Sequence, residues 1–149
     1  MGYCTRTDIE KHLPGAQVTQ LTKDPGDDPD DQETLTDERV TEAIEAGDSI
    51  INGFLSTRDL VLPLDPVPKL INTLSIDLAI WALHSRRTSL ELPKPILQRY
   101  DNALKLLGNI QSGKLGWGAQ EADPNKPAEY RTDTLTTDRI FPKSVLDKF

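Results

Sequence analysis

Cysteine is nearly absent: Cys4 is the only one in 149 residues. That excludes an internal disulfide and any zinc site built on several thiolates, and it leaves Cys4 as a buried or bystander thiol rather than a nucleophile. Histidine is equally scarce. His12 and His84 stand far apart and in no HExxH or other ligand spacing, so a catalytic zinc is not expected, and His84 should pack at the end of a helix. The chain has no run of about 18 apolar residues, which excludes a membrane-spanning helix. Its opening MGYCTRTDIEKHL lacks the basic start and apolar stretch of a secretory signal, and synthesis and retention in the cytosol is the expectation. Gly2 after Met1 is alone a weak acylation signal.

Positive charge is also in short supply. Lys and Arg total 17 against 24 Asp and Glu, a net charge of −7. Tight nucleic-acid binding depends on basic side chains displacing cations from phosphates, so DNA near this protein is expected to pass rather than be held. GxSxG, Walker and dinucleotide motifs are missing too; GKLGWG follows a helix instead of opening one and offers no phosphate cradle. The cations Arg86, Arg87, Lys94, Arg99 and Lys105 read as the wet faces of helices. No active site assembles from these residues, and the chain is expected to be no enzyme, with no cofactor and no metal.

What the sequence does contain is helical periodicity in a length suited to one domain with tails. Residues 3–13 predict a short opening helix, with Thr7 as N-cap and Pro14-Gly15 as its stop. QLTKDPGDDPDDQETLT then crowds aspartates around two prolines and predicts an exposed acidic loop over residues 24–34. Its spacing fails the EF-hand template, so a solvated loop is favoured over a weak cation site. From Thr36, Val40, Ile44, Gly47, Ile51, Phe54 and Arg58 recur at spacings of four and three, the pattern of an amphipathic helix of roughly twenty residues. Gly47 lies on the apolar stripe, where glycine costs about 1 kcal/mol against alanine, and this favours a close helix crossing.

KLINTLSIDLAIWALHSRR is apolar nearly all round and predicts a central helix covered on several faces. Asp77 within it is a carboxylate close to the core that needs a cation, with Arg58, Arg86 and Arg99 as candidates. A structural ion pair is the favoured role, ahead of a general base. A third long helix, PILQRYDNALKLLGNIQ, carries Ile96, Tyr100, Ala103, Leu107 and Ile110 on one stripe and should end in a left-handed Gly113. Between the first two long helices, LPLDPVPKL places Pro63, Pro66 and Pro68. Its PxxP spacing suits a docking ligand, but its apolar flanks favour a stiff corner whose leucines and Val61 stay in the core, with Asp65 capping the next helix. The prediction is an all-α fold: a small bundle of three principal helices plus a short N-terminal helix over residues 1–116, and an extended C-terminal arm over 117–149. Trp117, Arg139, Phe141 and Phe149 in that arm are candidate contacts, because a monomer has difficulty burying its apolar tip.

The order of these signals resembles the Mu-type neck-protein family of tailed bacteriophages. The matching stretches are YCTRTDI, QLT at residues 20–22, VTEAIEAGDSIINGFLSTRD, LPLDPVP, IDLAIWALHSRR, QRYDNALKLLGNIQSGKLG and DRIFPKSVLDKF. The sequence departs from the family pattern at Phe54, where tyrosine is usual, and in a longer proline-rich lead into the third long helix. The resemblance implies a structural virion protein at the neck, made in the host cytoplasm. It would be a head–tail adaptor that forms a ring of about twelve copies under the portal. Implied partners are the portal, neighbouring subunits of the ring, a downstream neck or tail protein, and DNA passing without specific binding. The alternative is a cytosolic helical interaction or regulatory protein with no portal partner.

Overall fold

The computed structural model describes residues 2–58, 60–87 and 91–117, and among these there are helices and no strands. The C-terminal arm, with Arg139, Phe141 and Phe149, lies outside the described residues.

Two short helices, not one, precede the bundle. Helix α1, Arg6–Glu10, is capped by Thr5 rather than Thr7: the Asp8 amide donates to the Thr5 hydroxyl while the Asp8 carboxylate accepts from the Thr5 amide, a reciprocal capping box. Lys11 also bonds that carboxylate, and these donors hold the Asp8 pKa down at about 2. This element stops at Glu10, short of Pro14, which begins the next. As N-cap of α2, Gly15–Thr22, it has no amide to leave unpaired. Val18, Leu21 and Thr22 are the only buried residues of α2, too brief a pattern to read as a helix from sequence.

Helix α3, Gln32–Leu55, starts four residues earlier than Thr36 because the Pro29–Asp31 3-10 turn feeds directly into it. Thr36 is therefore inside the helix, buried, with its hydroxyl 3.0 Å from that of Thr22. Arg58 falls beyond the helix end. Helix α4, Lys69–Ser85, buries nine residues on several sides, as its nearly continuous apolar sequence requires. Its N-cap is Pro68 and no side chain caps it, so Asp65 does not play that part. Helix α5, Lys94–Gln111, buries Ala103, Leu107 and Ile110 and ends in a Schellman motif. Gly113 takes φ +73°, its amide bonds Ile110 O, and the Lys114 amide reaches back to Asn109 O.

The long helices pack with α4 between α3 and α5, and α1 and α2 close one end. Two apolar clusters result. One joins Ile9, Leu13, Val18 and Leu21 to Val40 and Ile44 of α3 and to Ile76, Ile80 and Leu83 of α4. The other joins Ile51, Leu55, Ile71, Leu74 and Leu78 to Leu107 and Ile110 of α5. Trp117, 6% exposed, belongs to this second cluster, so it packs with the helices instead of marking the start of an arm.

Candidate functional site

Between the two clusters, the chain segment Tyr3-Cys4 runs buried against α3 and α4. Its polar groups are matched one by one. The Tyr3 amide donates to Asp48 Oδ2 at 2.8 Å, and Asn72 Nδ2 donates to Tyr3 O at 2.8 Å. The Tyr3 hydroxyl donates to Asn52 Oδ1 and accepts from the Leu64 amide at 3.3 Å. Ser75 Oγ donates to Asp48 Oδ1 at 2.6 Å and lies 3.2 Å from Cys4 Sγ. A serine has one proton to give, so once it goes to the carboxylate the thiol is left to donate to the serine oxygen. A buried carboxylate needs such donors, and Asp48 receives one from the strap and one from α4.

This node was not visible in the sequence. Asp48 follows Gly47 on what reads as an apolar stripe, and Ser75 interrupts an apolar helix; those two polar residues at core positions were the available signal. Burial pushes the Tyr3 phenol above its ordinary range despite the opposing Leu64 amide, and it pushes the Cys4 thiol up to about 11, with the Asp48 charge adding to the effect. A thiol so protonated and covered is a poor nucleophile.

Gly47 sits at the same level. A Cβ there would stand 3.1 Å from Leu78 Cβ, 3.4 Å from Ala79 N and 3.5 Å from Ser75 O, so glycine is what lets α3 and α4 approach this closely. The proline corner joins the node through Leu64, whose amide reaches the Tyr3 hydroxyl. Leu60, Leu62 and Leu64 pack against the second cluster, but Val61 is 89% exposed and leaves the core. The Leu62–Pro63 and Asp65–Pro66 peptides are cis.

Of the cations proposed for Asp77, the structure selects Arg99, with Nε 3.5 Å from Oδ1. Burial raises the Asp77 pKa, and the charges of Arg99 and His12 oppose it. Next to this pair the rings of Trp81 and Tyr100 stack at 4.1 Å, joining α4 to α5. Arg86 serves another carboxylate, Asp24, and the Arg58 guanidinium lies against Gly113. His84 is buried at the end of α4 with Nδ1 2.9 Å from Ile80 O.

The acidic loop is exposed over most of its length, yet it is fastened at one point. Arg39, on α3, forms a two-pronged pair with Asp27 and also donates to Thr22 O; its Nη2 lies 3.2 Å from Asp24 Oδ2. Arg86 bonds the same Asp24 oxygen from the end of α4 at 3.0 Å. The Arg39 guanidinium holds the Asp27 carboxyl far below the usual carboxylate range. Among the described residues no group of His, Cys, Asp or Glu is arranged to hold a metal ion.

The arrangement thus fastens helices to one another, and its polar groups are spent on internal partners. A protein-family model described as Bacteriophage Mu, Gp36 matches residues 3–134, which spans the Tyr3-Cys4 strap and the five described α-helices. The chain belongs to the Bacteriophage Mu Gp36 family. Membership in the Gp36 family makes it a bacteriophage protein of the structural and morphogenesis class. No curated protein matches the sequence. No described helix is long and apolar enough to cross a membrane.

Proposed function

We propose that this Gp36-family protein is a head–tail adaptor, a structural virion component that forms a ring between the portal and the tail. The observation that carries the reading is the family match over residues 3–134, taken with an all-helical bundle whose helices are cross-fastened. A subunit that tiles identically around a ring benefits from fixed angles between its elements, and the close α3–α4 crossing at Gly47 and the Tyr3 node provide them. Its partners are the portal, sister subunits in a ring of about twelve, and a neck or tail protein below. The location is the neck of the virion.

A structural rather than enzymatic role is supported by the internal pairing of the node's polar groups and by the covered, protonated thiol of Cys4. DNA passes without being gripped. A net charge of −7, with exposed carboxylates in the loop at residues 24–33, repels a phosphate backbone rather than exchanging its counterions.

Native mass spectrometry of the full chain, with and without purified portal, tests the reading. A complex with the portal is the expected result. Failure to associate at any ionic strength overturns the adaptor role and favours a helical interaction protein without a portal partner.

A further inference from the structure

The chain is electrically lopsided. Eleven carboxylates and one arginine stand between Asp24 and Asp48, a net −10, whereas the remaining residues sum to +3. In the fold this asymmetry appears on two helix faces that lack partners among the described residues. On α5 the side opposite Ala103, Leu107 and Ile110 is uncovered: Lys94, Leu97, Gln98, Asp101 and Lys105 are exposed, and Leu97 keeps 45% of its surface in solvent. On this side Lys94 and Lys105 outnumber Asp101, while Arg99 turns toward α4 and its partner Asp77. Neither Lys94 nor Lys105 pairs with a described carboxylate.

On α3 the exposed side carries Glu38, Glu42 and Glu45, four and three residues apart and therefore on one stripe. They form no ion pair with a described cation: Arg39, whose charge acts on Glu42 at longer range, bonds Asp27, and Arg6 bonds Asp37 and Glu10. Ala46 and Ser49, also exposed, continue this side with small side chains, which leaves room for an apolar group.

We propose that the uncovered face of α5 in one copy of this chain docks on the Glu38–Glu42–Glu45 face of α3 in the next, with Leu97 seated beside Ala46 and Ser49. The inference rests on the ring reading above and names the surfaces that join its subunits. Opposite charge on the two faces selects this partner and disfavours pairing of like faces, α3 with α3 or α5 with α5. Because the two faces differ, the contact is head-to-tail: every copy offers both, and repetition by a constant rotation does not stop at a dimer and gives a ring where that rotation closes.

Sedimentation velocity of the full chain at low and high ionic strength tests this with two variants. One carries Lys94→Glu and Lys105→Glu; the other carries Glu38→Lys, Glu42→Lys and Glu45→Lys. All these side chains are exposed, and circular dichroism and melting check that each variant folds. Wild type is expected to self-associate at low ionic strength and to dissociate at high. Each variant alone loses association, because its two faces then carry the same sign. Mixing the two variants restores it, since the acidic α5 of one meets the basic α3 of the other. Association of either variant like wild type, no recovery on mixing, or a wild type monomeric at every ionic strength overturns the proposal. Portal binding by wild type, measured separately, judges the adaptor reading: a wild type that binds portal while the charge reversals leave its assembly unchanged forms its ring through other faces.

Discussion

The Tyr3 hydroxyl donates to Asn52 on α3 and accepts from the Leu64 amide in the proline corner, so one side chain near the start of the sequence ties together segments 49 and 61 residues away. The same residue's amide and carbonyl bind Asp48 and Asn72. The α3–α4 corner is therefore set by a strap lying across it as well as by its prolines.

Tyr3→Phe keeps the ring and removes the hydroxyl, leaving Asn52 and the Leu64 amide short of a partner. A loss of about 1–2 kcal/mol is expected in denaturant unfolding, with little change in the slope. Asp48→Ala strips the partner from both the Tyr3 amide and Ser75 and should cost more, about 2–4 kcal/mol. If Tyr3→Phe unfolds at the wild-type midpoint, the hydroxyl contributes nothing to holding the corner.

Two glycines of α3 should respond oppositely to alanine. At Gly47 the new methyl meets Leu78 Cβ at 3.1 Å and the α4 backbone behind it, neither of which can turn away, and the helices must move apart. The strain exceeds the propensity gain, and Gly47→Ala should cost about 1–3 kcal/mol. Gly53 is exposed and has nothing within 4 Å of its Cβ position. Gly53→Ala should stabilise by about 0.5–1 kcal/mol through helix propensity alone. Thermal melting of the two alanine variants side by side reads the contrast.

Arg39→Gln removes the two-pronged fastening of the acidic loop and leaves only Arg86 on Asp24. Amide exchange at residues 24–31 should accelerate while the amides of α4 keep their protection, because only the loop depends on that guanidinium. High salt should produce a weaker version of the same change in wild type, since the pair is only partly screened. Unchanged loop exchange in the variant would show that the backbone turns and the Arg86–Asp24 pair hold the loop without Arg39.

Asp8 and Asp27 respond to pH in one direction and Asp77 in the other. Asp8 and Asp27 have folded pKa values below the ordinary one, so their contribution is present above about pH 4 and is lost as the pH falls toward the folded values. Asp77 is shifted upward, so the folded state binds its proton more tightly than the unfolded chain does. Its charge therefore weakens the fold as pH rises through its folded value. Asp77→Asn should be more stable than wild type at neutral pH and lose that advantage below about pH 4. An Asn variant less stable at neutral pH would mean that the Arg99 pair outweighs the cost of burial. Cys4 supplies a further check: native protein should resist thiol reagents at about pH 8 and react upon unfolding.

Sequence periodicity fixed the long helices well because each carries several turns of repeated apolar residues: Val40 to Ile51, Leu70 to Trp81, Ile96 to Ile110. Gly113 was equally legible, since a glycine just past an apolar stripe is what a left-handed helix end needs. Helix α2 was not, because Val18 and Leu21 alone cannot establish a period, and Pro14 ends one helix as readily as it begins another. Arg99 could not be chosen over Arg58 or Arg86 from sequence, as all three are long cations at compatible distances along the chain. Val61 shows the opposite failure: apolar neighbours suggested burial, but the corner turns it into solvent.

The sequence by itself determined an all-helical chain with three long amphipathic or apolar helices, an acidic segment and a glycine at a crossing, because these are local properties of spacing, charge and side-chain size. Only tertiary structure decided that Tyr3 and Cys4 lie buried between α3 and α4, that Asp48 is held by Tyr3 and Ser75, and that Trp117 closes the core. Those contacts join residues far apart in the chain. A single tyrosine or aspartate has no period to announce it, and its partner is settled only when packing leaves a buried polar group that something must satisfy.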